Sequence, residues 1–175
     1  MQIEKHPFPA FVPNQAKYLI LGSFPGREST QNPTPEDWYY GAKRNQFWKI
    51  LSQVYQRPLL TIHDKKELLI HLNIAIADVI LSCHRKNNSN LDVNLVNKAY
   101  NIKGIEKILQ DCSIIKIFCT SRGVEKIIKR HFKELLLSFP TLEVQVLPSP
   151  SPRYYAMKLS QKVEAYKSML PCLST

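Results

Sequence analysis

Two short segments hold the residue types that fix backbone shape. Three of the five glycines (Gly22, Gly26, Gly41) and six of the twelve prolines (Pro25, Pro33, Pro35, Pro148, Pro150, Pro152) fall in two segments, one that opens with Gly22-Ser23-Phe24-Pro25-Gly26 and runs on to Gly41, the other Leu147-Pro148-Ser149-Pro150-Ser151-Pro152. Turns require Gly and Pro for their own geometry, but two such loops, each just after a strand-like run, also suit a site built from fixed backbone groups. The first loop is not a P-loop, because no Gly-Lys-Ser/Thr ends it, and G-x-x-x-G is not the dinucleotide fingerprint G-x-G-x-x-G. Nucleotide-triphosphate hydrolysis and NAD chemistry therefore lose their main support. Cys83, Cys112, Cys119 and Cys172 form no C-x-x-C pair, which sets aside zinc ribbons and dithiol redox motifs and fits free thiols in a reducing cytosol. His6, His63, His71, His84 and His131 include no H-E-x-x-H and no H-x-E followed by P-C-x-x-C, against zinc proteases and zinc nucleobase deaminases. The expectation is chemistry without metal or cofactor. Asp78, inside an apolar strand-like run, is a candidate acid or a carboxylate buried against a hydrogen-bond donor.

These residues need a scaffold. Residues 1–16 carry Pro7, Pro9 and Pro13, which disfavour helix and predict an extended arm over the surface. Lys17–Gly22 reads as a buried parallel strand, so the Ser23–Ser29 loop leaves the carboxyl end of a first strand, where open α/β sheets place ligands. Phe47, Ile50, Leu51 and Val54 have helical spacing behind Asn45, which stands at an N-cap position. A second helix is predicted over Asp64–Leu72 with Asp64 as its cap, and strands over Ile74–Leu81, Ile114–Thr120 and Glu143–Leu147. One helix is expected through Val124–Leu136, and a last from about Tyr155 to Leu170, with Tyr155 a candidate first core residue. Strands alternating with helices imply a three-layer α-β-α sandwich around a central, roughly four-stranded parallel sheet, with residues 17–175 as one domain behind the 1–16 arm.

The chain has 175 residues, 44% of them hydrophobic, enough for one sizeable core without a disulfide or metal staple. No apolar run approaches the ~20 residues of a membrane span, and Met1–Pro7 lacks a signal-peptide apolar stretch. A soluble, unprocessed, cytoplasmic protein is the expectation. Lys plus Arg reach 24 against 14 acids, a net charge of +10 that suits a polyanion.

Leu21-Gly22-Ser23-Phe24-Pro25-Gly26, then Tyr39-Tyr40-Gly41-Ala42-Lys43-Arg44-Asn45-Gln46-Phe47-Trp48, then Leu147–Pro152 resemble the ordered motifs of the uracil-DNA glycosylase superfamily, and within it the hypoxanthine-DNA glycosylase branch. Ile76–Cys83, followed by Ser89-Asn90-Leu91-Asp92, resembles that branch as well, so the likeness runs from about residue 17 to 155.

The resemblance implies a DNA glycosylase of base excision repair that flips a deaminated base, hypoxanthine or uracil, from DNA and hydrolyses it away. Tyr40 matches the aromatic that stacks on the flipped base, and the backbone of Gly22, Ser23 and Phe24 would line the pocket opposite. Negative charge builds on the departing base, so donors must face its carbonyl and a water must be held. Much of the superfamily has Asp or Asn where this chain has Phe24, and the resemblance passes the catalytic role to Asn45. Many relatives have His where Leu147 stands, His-Pro where Ala42-Lys43 stands, and small residues with Asn where Arg153-Tyr154-Tyr155 stand. Lys43, Arg44, Ser149 and Ser151 are candidates for DNA phosphates, Arg153 or Tyr154 for filling the gap left by the flipped nucleotide, and Arg85–Asn88 for the DNA groove. No lysine is singled out as a Schiff-base nucleophile, so strand-cleaving lyase activity is not expected and the enzyme reads as monofunctional; the resemblance also implies a monomer, with no membrane partner. Two alternatives stay open: a non-catalytic nucleic-acid-binding protein on the same fold, and an enzyme of free nucleosides.

Overall fold

The computed structural model describes residues 2–173. A short strand β1 (Ile3–Lys5) precedes β2 (Tyr18–Gly22), whose residues beyond Tyr18 are all buried. Then follow α1 (Arg27–Gln31), α2 (Phe47–Tyr55), α3 (Ile62–His71), β3 (Ile74–Asp78), β4 (Ile80–Arg85), β5 (Leu95–Tyr100) and α4 (Ile102–Asp111). The chain ends with β6 (Lys116–Cys119), α5 (Arg122–His131), α6 (Lys133–Leu137), β7 (Glu143–Val146) and α7 (Leu159–Met169). The central sheet is parallel, in the order β3-β2-β6-β7.

Side-chain alternation along these strands builds two cores. Leu19 and Leu21 of β2, with Ala75, Ala77, Ile117 and Cys119, pack against Ile105, Ile108 and Leu109 of α4 and Val124 and Ile128 of α5. Ile20, with Ile74, Ile76 and Phe118, faces Phe47, Ile50 and Leu51 of α2, Leu68 and Leu69 of α3, and Tyr166 of α7. The three-layer α-β-α arrangement with four parallel strands is thus present.

Several local expectations differ from what forms. The run Ile74–Leu81 is two strands: after Asp78 the chain leaves the parallel sheet and Ile80–Arg85 joins an antiparallel sheet of order β1-β4-β5. Burial of Ile74 through Ile80 is continuous across the switch, so the apolar pattern carries no mark of it. The arm takes part in this second sheet through β1, Phe11 bridges to Ile76, and α4 and β5 occupy stretches for which the sequence predicted no element. The Val124–Leu136 helix breaks at buried Phe132, where φ is −115° and ψ 15°. Thr61, not Asp64, caps α3: its hydroxyl accepts from the Asp64 amide while the Asp64 carboxylate accepts from the Thr61 amide, a capping box. Gln46, not Asn45, is the N-cap residue of α2. The last helix begins at Leu159, and Tyr155 is 87% exposed rather than part of the core.

Candidate active site at the carboxyl rim of the parallel sheet

All four parallel strands end on the same side, and the loops that leave them enclose a cavity of about 460 Å³. Its wall takes Ser23–Gly26 after β2, Asp78 from the end of β3, Thr120 and Ser121 after β6, and Ser149–Arg153 after β7. The segments Trp38–Ala42 and Asn90–Asp92 close the remaining sides. This size falls among small-molecule sites, which run to roughly 300–1,000 Å³.

The floor is crowded at Gly22. A Cβ there would collide with Oδ1 of Asp78 and the hydroxyl of Tyr40, so only glycine lets both polar groups reach over the end of β2. Tyr40 has a φ of 56°, a left-handed conformation that costs an ordinary side chain about 1–2 kcal/mol. The tight turn that imposes it is closed by the Gly41 amide donating to the Trp38 carbonyl at 2.8 Å. The Tyr40 ring stacks on Phe47 at 4.1 Å between centroids, and its hydroxyl donates to Oγ1 of Thr120 at 3.1 Å. Burial first, and the Asp78 charge second, push its phenol well above the ordinary range, so it stays a donor.

Asn45 reaches the wall from the turn before α2. Its Oδ1 accepts from the Phe47 amide at 2.9 Å, so it satisfies one free amide of the helix start although Gln46 holds the cap position. That bond also orients the amide, since only the oxygen can accept from an N–H. Its Nδ2 has no protein acceptor among the described residues and is a donor left for whatever fills the cavity.

The turn before α2 and the Leu147–Pro152 loop are tied together beside the cavity. The Gln46 amide donates to the Pro150 carbonyl at 3.0 Å. Lys162 of α7, only 1% exposed, donates from Nζ to Oε1 of Gln46 at 2.9 Å and to the Ser151 carbonyl at 3.0 Å. Burial lowers its pKa below the ordinary lysine value. Within the loop, the Ser149 hydroxyl accepts from the Ser151 amide and the Ser151 hydroxyl from the Arg153 amide.

A second buried cluster holds the other side. Arg85, expected at a DNA groove, is instead 8% exposed: Nε donates to both carboxylate oxygens of Glu4 at 3.1 and 3.0 Å, and the terminal nitrogens donate to the Ser89 and Pro25 carbonyls. One guanidinium thereby joins β1, β4, the Asn90 loop and the first motif. Asp92 lines the cavity with Ser23, and loss of water around its carboxyl raises its pKa above the ordinary carboxylate value.

Of the residues singled out by sequence, Ser23, Phe24, Tyr40, Arg44, Asn45, Ser149, Ser151 and Arg153 meet around the cavity, with Gly22 at its floor. Lys43 and Tyr154 lie off the wall; the Tyr154 ring sits 5.4 Å from the Lys162 ammonium. Leu147 is fully buried in the core. Thr120, Ser121 and exposed Tyr155 line the cavity without having been singled out for it. His6 was missed altogether: its ring lies against Phe24 and Tyr39 and reaches Asp78, 72 positions along the chain, a separation no local signal reveals.

The fold and the cavity define an α/β protein whose loops, at the carboxyl ends of parallel strands, turn a stacked aromatic, an amide donor and a carboxylate toward one cavity. The chain belongs to the uracil DNA glycosylase superfamily, whose family model matches residues 8–170. It is similar to the hypoxanthine DNA glycosylase of Methanosarcina barkeri, 29% identical over 93 residues that make up 52% of this chain and 56% of that protein. The match therefore spans little more than half of that relative. A solution NMR structure from Methanosarcina acetivorans, provisionally described as a uracil DNA glycosylase, shares the fold with a TM-score of 0.66 at 23% identity over 96% of each chain. Among the described residues no helix is long and apolar enough to cross a membrane.

Proposed function

We propose that this chain flips a deaminated base, hypoxanthine or uracil, out of DNA into the cavity and hydrolyses its N-glycosidic bond. The orientation of Asn45 carries the reading. With Oδ1 held by the Phe47 amide, the side chain turns its Nδ2 N–H to the cavity as a donor, which is what a departing base needs at its carbonyl. In the step, the C1′–N bond breaks with its electron pair leaving on the base, water oxygen bonds to C1′ as a hydroxyl, and the proton that the water gives up passes through solvent to the departed base. Tyr40 supplies an aromatic wall backed by Phe47, and the backbone of Gly22, Ser23 and Phe24 supplies the floor opposite. Arg44, Ser149 and Ser151 at the rim would meet phosphates, as would Lys43 off the wall, while Arg153 would meet a phosphate or, like Tyr154, fill the gap left by the flipped nucleotide.

The enzyme is read as monofunctional and monomeric, with DNA as its partner. Among the described residues no lysine lines the cavity, and buried Lys162 has its ammonium engaged by Gln46 and Ser151, which supports hydrolysis by water rather than by an amine. One observation favours the non-catalytic reading: Phe24, packed beside His6 and 5.9 Å from the Arg85 guanidinium, gives the first motif no group to hold water. Duplexes carrying one deoxyinosine or one deoxyuridine, treated with the protein and then with alkali, decide between them. Strand breaks at the modified position are expected; salt-sensitive binding without them establishes the binder.

A further inference from the structure

The carboxylate at the cavity floor is gripped from one side only. Asp78 is 6% exposed, and its Oδ2 accepts from Nε2 of His6 at 2.9 Å. The tautomer follows from the other nitrogen: Nδ1 accepts from the Phe8 amide at 3.1 Å, so the proton of the neutral ring sits on Nε2 and is donated to Asp78. The imidazole is boxed by Phe8, Phe24 and Tyr39, with ring centroids 5.9, 5.8 and 5.5 Å away. Its backbone is held too, the His6 amide donating to the Leu81 carbonyl at 2.8 Å just after β1 pairs with β4.

The second oxygen, Oδ1, takes no hydrogen bond from protein among the described residues. No buried side-chain polar atom is without a partner there, so Oδ1 opens to the cavity, over Gly22 and beside the Tyr40 hydroxyl. That hydroxyl is already given to Thr120 and cannot satisfy it. A carboxylate fixed through one oxygen presents the other as an acceptor of set direction.

We propose that His6 is a positioning residue of the cavity: from the N-terminal strand segment it fixes Asp78 so that Oδ1 accepts a hydrogen bond from an N–H or O–H of what binds there. The donor is a ring N–H of the base or the attacking water, and the two separate by readout, the first in substrate affinity and the second in the single-turnover rate. This assignment rests on the glycosylase reading of the cavity.

The test is a double-mutant cycle on excision of hypoxanthine from a deoxyinosine duplex, measured as affinity and single-turnover rate at saturating enzyme, with a melting curve for each protein. His6→Phe keeps a ring among Phe8, Phe24 and Tyr39 but removes the N–H, and about a tenfold to hundredfold loss is expected, the size of a hydrogen bond to a charged group. His6→Gln returns a donor and restores most of it. In an Asp78→Asn background, His6→Phe costs nothing further, which a merely structural role would not produce. Unchanged activity of His6→Phe, or losses that simply multiply in the double variant, overturn the assignment while leaving the glycosylase reading intact. Failure of the unaltered protein to excise either base overturns that reading, and the role of His6 with it.

Discussion

Asn45 is bonded to the backbone on one side and open to the cavity on the other, and two substitutions separate the two functions. Asn45→Ala removes both. Loss of the bond to the Phe47 amide, 2.9 Å in the structure, resembles loss of a helix cap and costs about 1 kcal/mol, a melting shift of roughly 2–4 °C in a chain of this size. Loss of the donor to the leaving base is the larger effect, about 10²–10³ in the chemical step, as for one oxyanion donor. Asn45→Asp keeps the acceptor, and a carboxylate at the start of α2 suits the helix dipole, so the melting temperature should match or slightly exceed that of the parent. Its single-turnover rate should nevertheless fall at least as far as that of the alanine variant, because the donor is gone and a negative charge faces a departing anion. The assay is excision from a deoxyinosine duplex with enzyme in excess, alongside thermal melts. Parental activity in Asn45→Ala, or an Asn45→Asp protein as fast as the parent, would refute the donor assignment and place the residue with the water instead.

Other outcomes follow from the same contacts. Gly22→Ala drives a methyl into Asp78 Oδ1 and the Tyr40 hydroxyl, which should cost about 1–3 kcal/mol in urea unfolding and most of the excision rate; unaltered stability would show that the floor yields freely. Arg85→Met leaves Glu4 buried without its cation and should cost about 3–5 kcal/mol. Burial raises the Glu4 pKa, but hydrogen bonds from Thr30, Gln31 and Arg85 outweigh it and hold the group below its ordinary 4.5. Stability from this carboxylate is therefore full above about pH 4.5 and is lost as pH falls through the lower folded value; acid melts of the parent should show that loss, and those of Arg85→Met a smaller one. Binding to DNA should weaken steeply with salt, and Arg44→Ala or Arg153→Ala should each reduce the log–log slope by about 1; a flat salt profile would remove phosphate contact from the reading.

How much of this was legible in the sequence depends on distance along the chain. The strands of the parallel sheet and both motif loops were readable, because apolar runs ending in Gly or Pro are local signals. The passage from β3 into β4 was not, since Asp78 and Val79 turn into a second sheet without interrupting burial. The start of α2 was misplaced by one residue because Asn45 acts on the Phe47 amide from just outside the helix. Tyr155 reads as core by its type, yet Tyr154 and Tyr155 precede a helix that begins only at Leu159. In the site, residues carried by motifs could be named, whereas the His6–Asp78 and Tyr40–Thr120 contacts join positions 72 and 80 apart.

Those distant pairings explain why buried charge surrounds the cavity. Lys162 joins α7 to Gln46 and Ser151, Arg85 joins β1 to Pro25 and Ser89, and His6 joins the N-terminal segment to Asp78. Replacing such a group together with its partner by apolar residues of similar volume often costs nothing, although removing one partner alone is expensive. Apolar residues would not fix direction, because apolar packing has no preferred angle, whereas each of these groups donates along set lines to carbonyls or carboxylates of a motif loop. Loops of glycine and proline limit their own conformations but not their position relative to one another. The buried cations and the imidazole supply that missing constraint, holding Gln46 beside Asn45, the Asp78 carboxylate and the Pro-Ser-Pro loop in one geometry. On this account Lys162→Met leaves the fold stable, yet lets the Ser149–Pro152 loop move independently of Asn45. Its signature is a slower single-turnover rate with melting within a few degrees of the parent, and an undiminished rate would mean that the loops hold their places without it.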